Sequence, residues 1–575
     1  MSDITLIING IRTTVPADTT ILDAARRAGV KIPTLCYHPD QEVKANCRVC
    51  VVEVEGQKNL LPSCATLVSE GMVVKTTTAR VMEARRTILE LILAHHPQDC
   101  LHCVRSGICE LQELAASYDV RGNRFLQEER NLPLDFSSPA MVRDPNKCLL
   151  CGRCVEVCSS VQTVHALGFA HRGFETRVVP SLERDLSESP CVMCGQCIHA
   201  CPVGAISENE QIDDFFAAAV DLEKTMVVQI APSVRLAMAE ELSNPTGELG
   251  MPQLINGLRK LGFDYVLSTN FSADLTIMEE GHELLERLRE GRDLPMVTSC
   301  CPAWVNFLEV FYPDQLGNLS TCKSPQQMFG ALVKTYWADK MGIDPARIFS
   351  VSIMPCTAKK YEALRPEMAD SSFPDVDLVL TTRELARLFR MTGVDPLKLE
   401  GSDFDSWMGE YTGAAVIFGA SGGVMEAALR TVYEKVTGHD SLEIDFNEVR
   451  GMQGIKEAQV DLDGTVVKVA VAHSLGNARR LMEQVKNGES PYHFIEVMAC
   501  PGGCVGGGGQ PLTHTNQKRA ERVAAIYSEE QGLDVRKSHD NSEIKALYEE
   551  FLYQPLGEKG HDLLHTKYSQ KSKGI

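Results

Sequence analysis

The pattern of apolar and polar positions changes character along the chain. Near the N-terminus, apolar and polar residues alternate over 4–8 and 11–15 with Asn9-Gly10 between them, which predicts a hairpin closed by a tight turn. Thr20-Ile21-Leu22-Asp23 reads as a helix start, and Gly29 stands where the stop belongs. Helical spacing of apolar residues predicts a helix over 81–96, and the Gly-, Asn-, Pro- and Ser-containing stretch 120–141 reads as a linker. From about 224 the texture changes. Short apolar runs at 226–231, 295–298, 349–354, 376–380, 414–418 and 494–499 predict buried strands. Helical patterns separate them, which is the layout of an α/β domain with parallel sheet. Asp463-Gly464 within 458–472 predicts a second hairpin, and the tail after 511 reads as helical and charged.

Composition adds bounds. The length of 575 residues fits about four domains at roughly 150 residues each. A hydrophobic share of 44% and a charged share of 23% are those of an ordinary globular protein. The first residues hold no basic stretch followed by an apolar one, so no secretory signal is expected. The most apolar run, 413–429, contains Glu426 and is too short and polar to span a membrane. The net charge of −20 argues against nucleic-acid binding. The 21 cysteines change the picture most. In a reducing compartment, for which the cytoplasm is the expectation, clustered Cys means metal rather than disulfides.

Four groups of candidate ligands precede the α/β region. Cys36, Cys47, Cys50 and Cys64, spaced C-x10-C-x2-C-x13-C, suit a 2Fe–2S cluster or a zinc ion. Cys100, Cys103 and Cys109 lack a fourth thiol, and His96, four residues before Cys100, is the natural completion, with His95 the weaker competitor. Cys148, Cys151, Cys154, Cys158 and Cys191, Cys194, Cys197, Cys201 are two C-x2-C-x2-C-x3-C runs. In two-cluster ferredoxins the fourth Cys of each run serves the other cluster. Cys201 is therefore expected with Cys148, Cys151 and Cys154, and Cys158 with Cys191, Cys194 and Cys197. Ser159 stands after the first run where Pro would be expected; Pro202 follows the second. Six cysteines remain, Cys300, Cys301, Cys322, Cys356, Cys500 and Cys504, and all but Cys322 sit at or near predicted strand ends, where open α/β sheets bind ligands.

Three segments, TSCCPAW at 298–304, MPCTAKKYE at 354–362 and MACPGGCVGGGGQP at 498–511, resemble the signatures of iron-only (FeFe) hydrogenases, in the family's order. Ala303 stands where Gly is also common. The resemblance extends to the N-terminal cluster modules and so covers nearly the whole chain. It implies an enzyme that interconverts H2 with protons and electrons at an H-cluster, a 4Fe–4S cluster joined to a two-iron unit carrying CO, cyanide and an azadithiolate. By resemblance Cys301, Cys356, Cys500 and Cys504 hold the 4Fe–4S part, and Cys504 bridges to the two-iron unit. Lys359 and the Pro232-Ser233 turn resemble the donors to the cyanides, with Ser324 and Gln326 nearby, and Met354, Phe418 and Met498 resemble the apolar packing. Cys300, Glu280, Ser320, Glu283 and Arg287 match the family's proton path; the spacing of the two glutamates and Arg287 alone would suit a solvated helix face. The implied cofactors are one 2Fe–2S cluster, three accessory 4Fe–4S clusters and the H-cluster.

The expected fold is α+β and multidomain. It comprises a β-grasp-like 2Fe–2S domain at 1–80, a 4Fe–4S module with one His and three Cys ligands plus linker at 81–140, and a two-cluster ferredoxin-like domain at 141–210. A large α/β H-cluster domain follows at 211–511, then a helical C-terminal segment wrapping it at 512–575. The expected partners are ferredoxin, or flavin- and NAD(P)-binding subunits of a complex that is electron-bifurcating in some family members, together with maturation proteins. Gly317 to Ser324 nearly matches a phosphate loop, but Cys322 replaces a required Gly, so no nucleotide is expected on this chain. Two other readings share features with this one. The cluster-bearing large subunit of a respiratory NADH or formate dehydrogenase would lack the three C-terminal segments, and a non-catalytic hydrogen sensor would be expected to lose Cys300 or the glutamates.

Overall fold

The computed structural model describes residues 3–122, 124–125, 130–243, 245–441, 446–512 and 515–572. The expected linker at 120–141 lies partly outside them, and its described part after 130 is irregular.

The N-terminal hairpin forms as the pattern predicts. Asp3–Ile8 pairs antiparallel with Ile11–Pro16, and Ile8 faces Ile11 across the Asn9-Gly10 turn. Both turn residues have positive φ, 48° and 85°, the backbone that Asn and Gly tolerate. Thr20 caps the helix Ile21–Arg27 by accepting from the Asp23 amide. Three further short strands complete a five-stranded mixed sheet whose first strand is parallel to Val73–Lys75. The helix Ala79–Leu93 then leads into the segment of His96 and Cys100.

The next domain is built on two antiparallel pairs, Met141–Arg143 with Ile206–Glu208 and Leu167–Ala170 with Arg177–Pro180. Two short helices, Arg153–Glu156 and Gln196–Ala200, each follow a glycine in left-handed conformation, Gly152 at φ 80° and Gly195 at φ 70°. The two Cys runs thus form two equivalent loop-to-helix turns.

The large domain contains two four-stranded sheets. In one, Tyr265–Ser268, Thr225–Ile230, Ile348–Met354 and Leu378–Thr381 are all parallel. In the other, Met296–Val297, Phe494–Met498 and Thr465–His473 run parallel, and Ile455–Leu462 closes the edge as an antiparallel hairpin across Asp463-Gly464. Each sheet has its own apolar core. The segments 231–233, 300–301, 354–356 and 498–500 all leave or adjoin the C-terminal ends of these strands.

One expectation fails. The run 414–418 is not a strand but the helix Gly413–Val416, followed by a 3-10 turn at Ile417–Gly419. A short apolar run carries no period that separates a buried strand from a buried helix. Packing decides: the segment is pressed against the helix Asn516–Gln531 so closely that a Cβ on Gly413 would come within 2.9 Å of Glu530 and one on Gly419 within 2.4 Å of Ile526.

The ferredoxin-like domain docks on the loop 502–509. Gln196 Nε2 donates to the Gly506 carbonyl at 2.9 Å, and Thr357 Oγ1 donates to the Met193 carbonyl at 3.0 Å. His199, kept neutral by burial, lies 2.7 Å from the Gly507 carbonyl through Nε2. At the tightest point a Cβ on Gly195 would stand 2.4 Å from Thr357 Oγ1 and 2.9 Å from Gly508 Cα. Gly195→Ala is therefore expected to cost about 1–3 kcal/mol by overpacking, seen as a lower midpoint of thermal unfolding. An unchanged midpoint would mean the contact carries no load.

Candidate active site and cluster cavities

A cavity of about 90 Å³ opens where the C-terminal strand ends of the two sheets face each other. Cys301, Cys356, Cys500 and Cys504 all line it, as does Cys300. Parallel strands place their following turns on one side, so four ligands distant in sequence converge there. The wall is otherwise mostly apolar, with Pro232, Met354, Phe418 and Met498 among it, and Ser233, Gln326 and Lys359 supply polar groups. Thr269, Ala273 and Gly419 also line it and carried no sequence signal of their own. Burial pushes the thiols of Cys301, Cys356 and Cys504 up, that of Cys356 to about 12. Four thiols so costly to ionise alone, Cys500 included, have the chemistry of a donor set that a cluster would suit. Ser233 fits the same reading: its hydroxyl is buried and has no hydrogen-bond partner within the chain.

Around Lys359 the decisive residue is Glu362, which the sequence reading had not singled out. Lys359 Nζ sits 2.8 Å from Glu362 Oε2 and 3.3 Å from the Cys300 carbonyl. Burial opposes the charge on Lys359, but Glu362 outweighs it and raises the pKa. The same Glu362 oxygen accepts from Ser324 Oγ at 2.9 Å and from Gln326 Nε2 at 3.1 Å. Ser324 does not line the cavity; it holds Glu362 from behind. The i, i+3 spacing of Lys359 and Glu362 in a helix was the available signal.

Glu280, Glu283 and Arg287 share one face of the helix Thr269–Glu290, and all three are buried. The solvated-face alternative is thereby excluded. Ser320 Oγ donates to Glu283 Oε2 at 2.8 Å, and Arg287 donates to Glu283 Oε1 at 2.6 Å. Glu280 is different. Both its oxygens are buried without a hydrogen-bond partner. Burial, then the Glu283 carboxylate, push its pKa up to about 8; Ser320 and the Ser299 amide, short of bonding geometry, offset only part. Cys300, between the cavity and Glu280, has its thiol pushed up by burial and by Glu280.

The other cysteines gather into separate sites. Cys158, Cys191, Cys194 and Cys197 line one small cavity, and Cys148, Cys151, Cys154 and Cys201 another. Cys158 thus lies with the second run and Cys201 with the first. Cys50 and Cys64 Sγ are 3.4 Å apart, and the Cys47 amide donates to Cys36 Sγ at 3.5 Å. Cys36 acts electrostatically on both Cys50, whose thiol Cys64 pulls down, and Cys64, whose thiol is pushed up, so the four form one group. Cys100, Cys103 and Cys109 are mutual neighbours. His96 is buried, its pKa is lowered by burial, and its Nδ1 has no partner; His95 is half-exposed and packs against Phe174. A neutral imidazole with an unsatisfied nitrogen is what a ligand requires. His96→Ala should abolish one 4Fe–4S signal in electron paramagnetic resonance, and His95→Ala should leave it; the reverse result would exchange their roles.

Known proteins resemble this chain along its length. The family model described as iron only hydrogenase large subunit, C-terminal domain, matches residues 224–508. A 2Fe-2S iron-sulfur cluster binding domain matches 2–79, the NADH-ubiquinone oxidoreductase-G iron-sulfur binding region 85–124, a 4Fe-4S dicluster domain 147–205, and the iron hydrogenase small subunit 516–571. The chain is 48% identical to the NADP-reducing hydrogenase subunit HndD of Solidesulfovibrio fructosivorans, covering 100% of both chains. It is 40% identical to iron hydrogenase 1 of Clostridium pasteurianum over 98% of this chain and 100% of that one. Among solved structures, the apo [FeFe]-hydrogenase HydA1 of Chlamydomonas reinhardtii superposes with a TM-score of 0.57 and 44% identity, covering 63% of this chain and 99% of that one.

Proposed function

This chain belongs to the iron-only hydrogenase family, and on that premise we propose how its residues hold the H-cluster and serve it with protons and electrons. It is a hydrogenase catalytic subunit with N-terminal iron–sulfur domains. The observation that carries the residue assignment is the cavity at the facing strand ends, where Cys301, Cys356, Cys500 and Cys504 meet beside Cys300.

These four cysteines would hold the 4Fe–4S part of the H-cluster, with Cys504 the one that would also serve the two-iron unit. When bound, the H-cluster supplies the centre at which H2 is interconverted with two protons and two electrons. Lys359, held cationic by Glu362, and Ser233, with its unpaired hydroxyl, would donate to the cyanides. Pro232 starts a helix at the cavity wall and fixes Ser233. Gln326 and Ser324 act through Glu362, and Met354, Phe418 and Met498 keep water from the two-iron unit.

Protons travel by Cys300, Glu280, Ser320, Glu283 and Arg287. The outer half is already linked by hydrogen bonds. The inner half is joined by Glu280, which is protonated at neutral pH and has no fixed partner, so its carboxyl is free to turn between Cys300 and Ser320.

The cysteines Cys158, Cys191, Cys194 and Cys197 would hold the accessory cluster nearest the H-cluster, since Gly195 packs on Gly508, and Cys148, Cys151, Cys154 and Cys201 would hold the next, which would supply an outward electron relay. His96 with Cys100, Cys103 and Cys109, and Cys36 with Cys47, Cys50 and Cys64, would hold the two outermost clusters of that relay. The cofactor set is one 2Fe–2S cluster, three accessory 4Fe–4S clusters and the H-cluster. The five segments 1–80, 81–140, 141–210, 211–511 and 512–575 are read as its modules, the first a β-grasp domain. The full-length similarity to an NADP-reducing hydrogenase subunit favours flavin- and NAD(P)-binding partner subunits over ferredoxin alone. Among the described residues no helix is long and apolar enough to cross a membrane.

Fully matured protein should hold about twenty iron atoms and show infrared bands of CO and cyanide. Cys300→Ser keeps the size but replaces a thiol with a far less acidic hydroxyl, so iron and bands should stay while H2 evolution and uptake nearly vanish. Near-normal turnover with intact bands would remove Cys300 from the route.

Glu280→Gln tests the carboxyl by stability as well as rate. The folded pKa of Glu280 is raised from 4.5 to about 8, so its contribution to stability is present below pH 4.5 and is lost as pH rises toward 8. Gln cannot ionise. The variant should therefore lose turnover, yet its unfolding free energy should fall less than that of the native chain between about pH 5 and 8. Parallel stability–pH curves would show that Glu280 is not held neutral.

A further inference from the structure

A proton route needs an end in water, and Arg287 does not supply one. Its guanidinium is permanently charged, so it cannot release a proton and take it back. It donates to Glu283 Oε1 and also to the carbonyls of Asp293, Gly317, Asn318 and Leu319, at 2.8–3.2 Å. The Oε1 side of Glu283 is thereby closed. Glu283 Oε2 accepts from Ser320 Oγ at 2.8 Å and lies 3.9 Å from the Cys322 thiol. Cys322 Sγ is in turn 4.0 Å from His565 Nδ1. A Glu283 oxygen and a His565 nitrogen stand within 4.8 Å of each other, with Cys322 beside both.

His565 is set up as a base. A backbone bridge between Cys322 and His565, with the Thr566 amide on the Thr321 carbonyl and the Lys323 amide on the Leu564 carbonyl, both at 2.8 Å, holds the two side chains opposite each other. Glu279 Oε2 lies 3.2 Å from His565 Nε2. Burial opposes the charge on Glu279, but His565, the Tyr548 hydroxyl at 2.5 Å and the Leu556 amide at 2.8 Å outweigh it and lower its pKa. The proton of a neutral His565 therefore sits on Nε2, and the Nδ1 lone pair faces Cys322 and the Thr321 hydroxyl, the latter at 2.8 Å. An imidazole oriented in this way takes a proton at Nδ1, and the carboxylate behind it stabilises the cation. His561, one helical turn earlier and exposed, has its ring centroid 4.6 Å from that of His565. Burial, then Glu283, Glu280 and Glu279, keep Cys322 a neutral thiol. That suits a bridge, which hands on one proton as it receives another.

We propose that His565, oriented by Glu279, is the outlet of the proton route, passing protons between Glu283 and the exposed His561 with the Cys322 thiol as the bridge. This outlet presupposes the route through Glu280 and Glu283 proposed above. In the outward step the Cys322 thiol gives its proton to His565 Nδ1 while protonated Glu283 gives its own to the sulfur. Glu283 becomes a carboxylate, His565 an imidazolium, and Cys322 ends as the thiol it was. The imidazolium then releases a proton to His561 or to water, and no oxidation state changes. H2 uptake runs the step outward and H2 evolution runs it in reverse. Arg287 keeps a different part: it anchors Glu283 and shuts the side that faces away from Cys322. The C-terminal segment thus supplies a functional group and not only a wrapping.

The test uses matured holoenzyme. His565→Gln keeps a donor for Glu279 but cannot take up a proton. Iron content and the CO and cyanide bands should stay, while H2 uptake and evolution fall by on the order of tenfold. With proton release slowed, the ratio of rates in H2O and D2O should rise. A third reading does not depend on turnover. Glu280 is protonated at neutral pH, so its carboxyl band in the infrared should shift down when resting enzyme is moved into D2O. That shift should be slower in His565→Gln than in the native chain. Native turnover, isotope ratio and deuteration in the variant would overturn the outlet. A slower enzyme with native isotope ratio and native deuteration would overturn it too, and mark His565 as structural. If His565→Gln loses iron, Cys322→Ala, which removes only the bridge, decides by the same three readings. Glu280→Gln separates the two levels. If it loses turnover while His565→Gln keeps it, the route stands and the outlet falls; if Glu280→Gln keeps turnover, both fall.

Discussion

Backbone packed directly on backbone at the loop 502–509 is the contact on which the rest of this molecule depends. A Cβ on Gly506 would lie 2.0 Å from the Pro501 carbonyl oxygen, one on Gly507 2.1 Å from that of Pro355, and one on Gly508 2.6 Å from that of Cys194. No side chain fits. The loop therefore brings three things together at once: its own Cys504, the turn of Cys356, and the ferredoxin-like cavity of Cys194. Its carbonyls are satisfied by side chains from elsewhere, Gln196 on Gly506 and Arg383 on Gly508. The loop is glycine because the cavity of Cys504 and the cavity of Cys194 can share a wall only if the wall is one backbone thick.

The large domain also buries paired charges. Lys323 with Asp375, Lys360 with Glu384, and Arg365 with Glu309 are paired almost out of reach of water. Such pairs add little net stability once desolvation is counted, but breaking one leaves an uncompensated charge. Their use here is orientation. Lys360 and Arg383 join the elements that carry Cys356 to the end of the ferredoxin-like domain through Gln211 and Glu208. Glu362 plays the same part inside the site, gathering Lys359, Ser324 and Gln326 on one oxygen. The C-terminal segment belongs to this scheme as well, since its His565 and Tyr548 reach the helix that carries Glu280 and Glu283.

Much of this was legible along the chain, for identifiable reasons. Cluster loops need cysteines at fixed short spacing, so the two C-x2-C-x2-C-x3-C runs could be read as ligand loops, and the fold puts Cys158 beside the second run and Cys201 beside the first. The hairpins at Asn9-Gly10 and Asp463-Gly464 followed from turn chemistry that acts over four residues. The run 414–418 went the other way, because a short stretch of small apolar residues is compatible with either element until its neighbours are known.

What the sequence determined by itself is whatever depends on near neighbours: the ligand loops, the turns, the strand-to-turn segments of the three signatures, and through them the family. What only the tertiary structure decided is whatever depends on residues brought together from far apart. Glu280 and Glu283 read as a solvated face until the fold buries the helix that carries them. Glu362 acquires its role only when Ser324 and Gln326 are folded onto it, and Cys322 meets His565 across 243 residues. Spacing along a chain encodes local geometry, whereas burial and long-range proximity are properties of the packed whole.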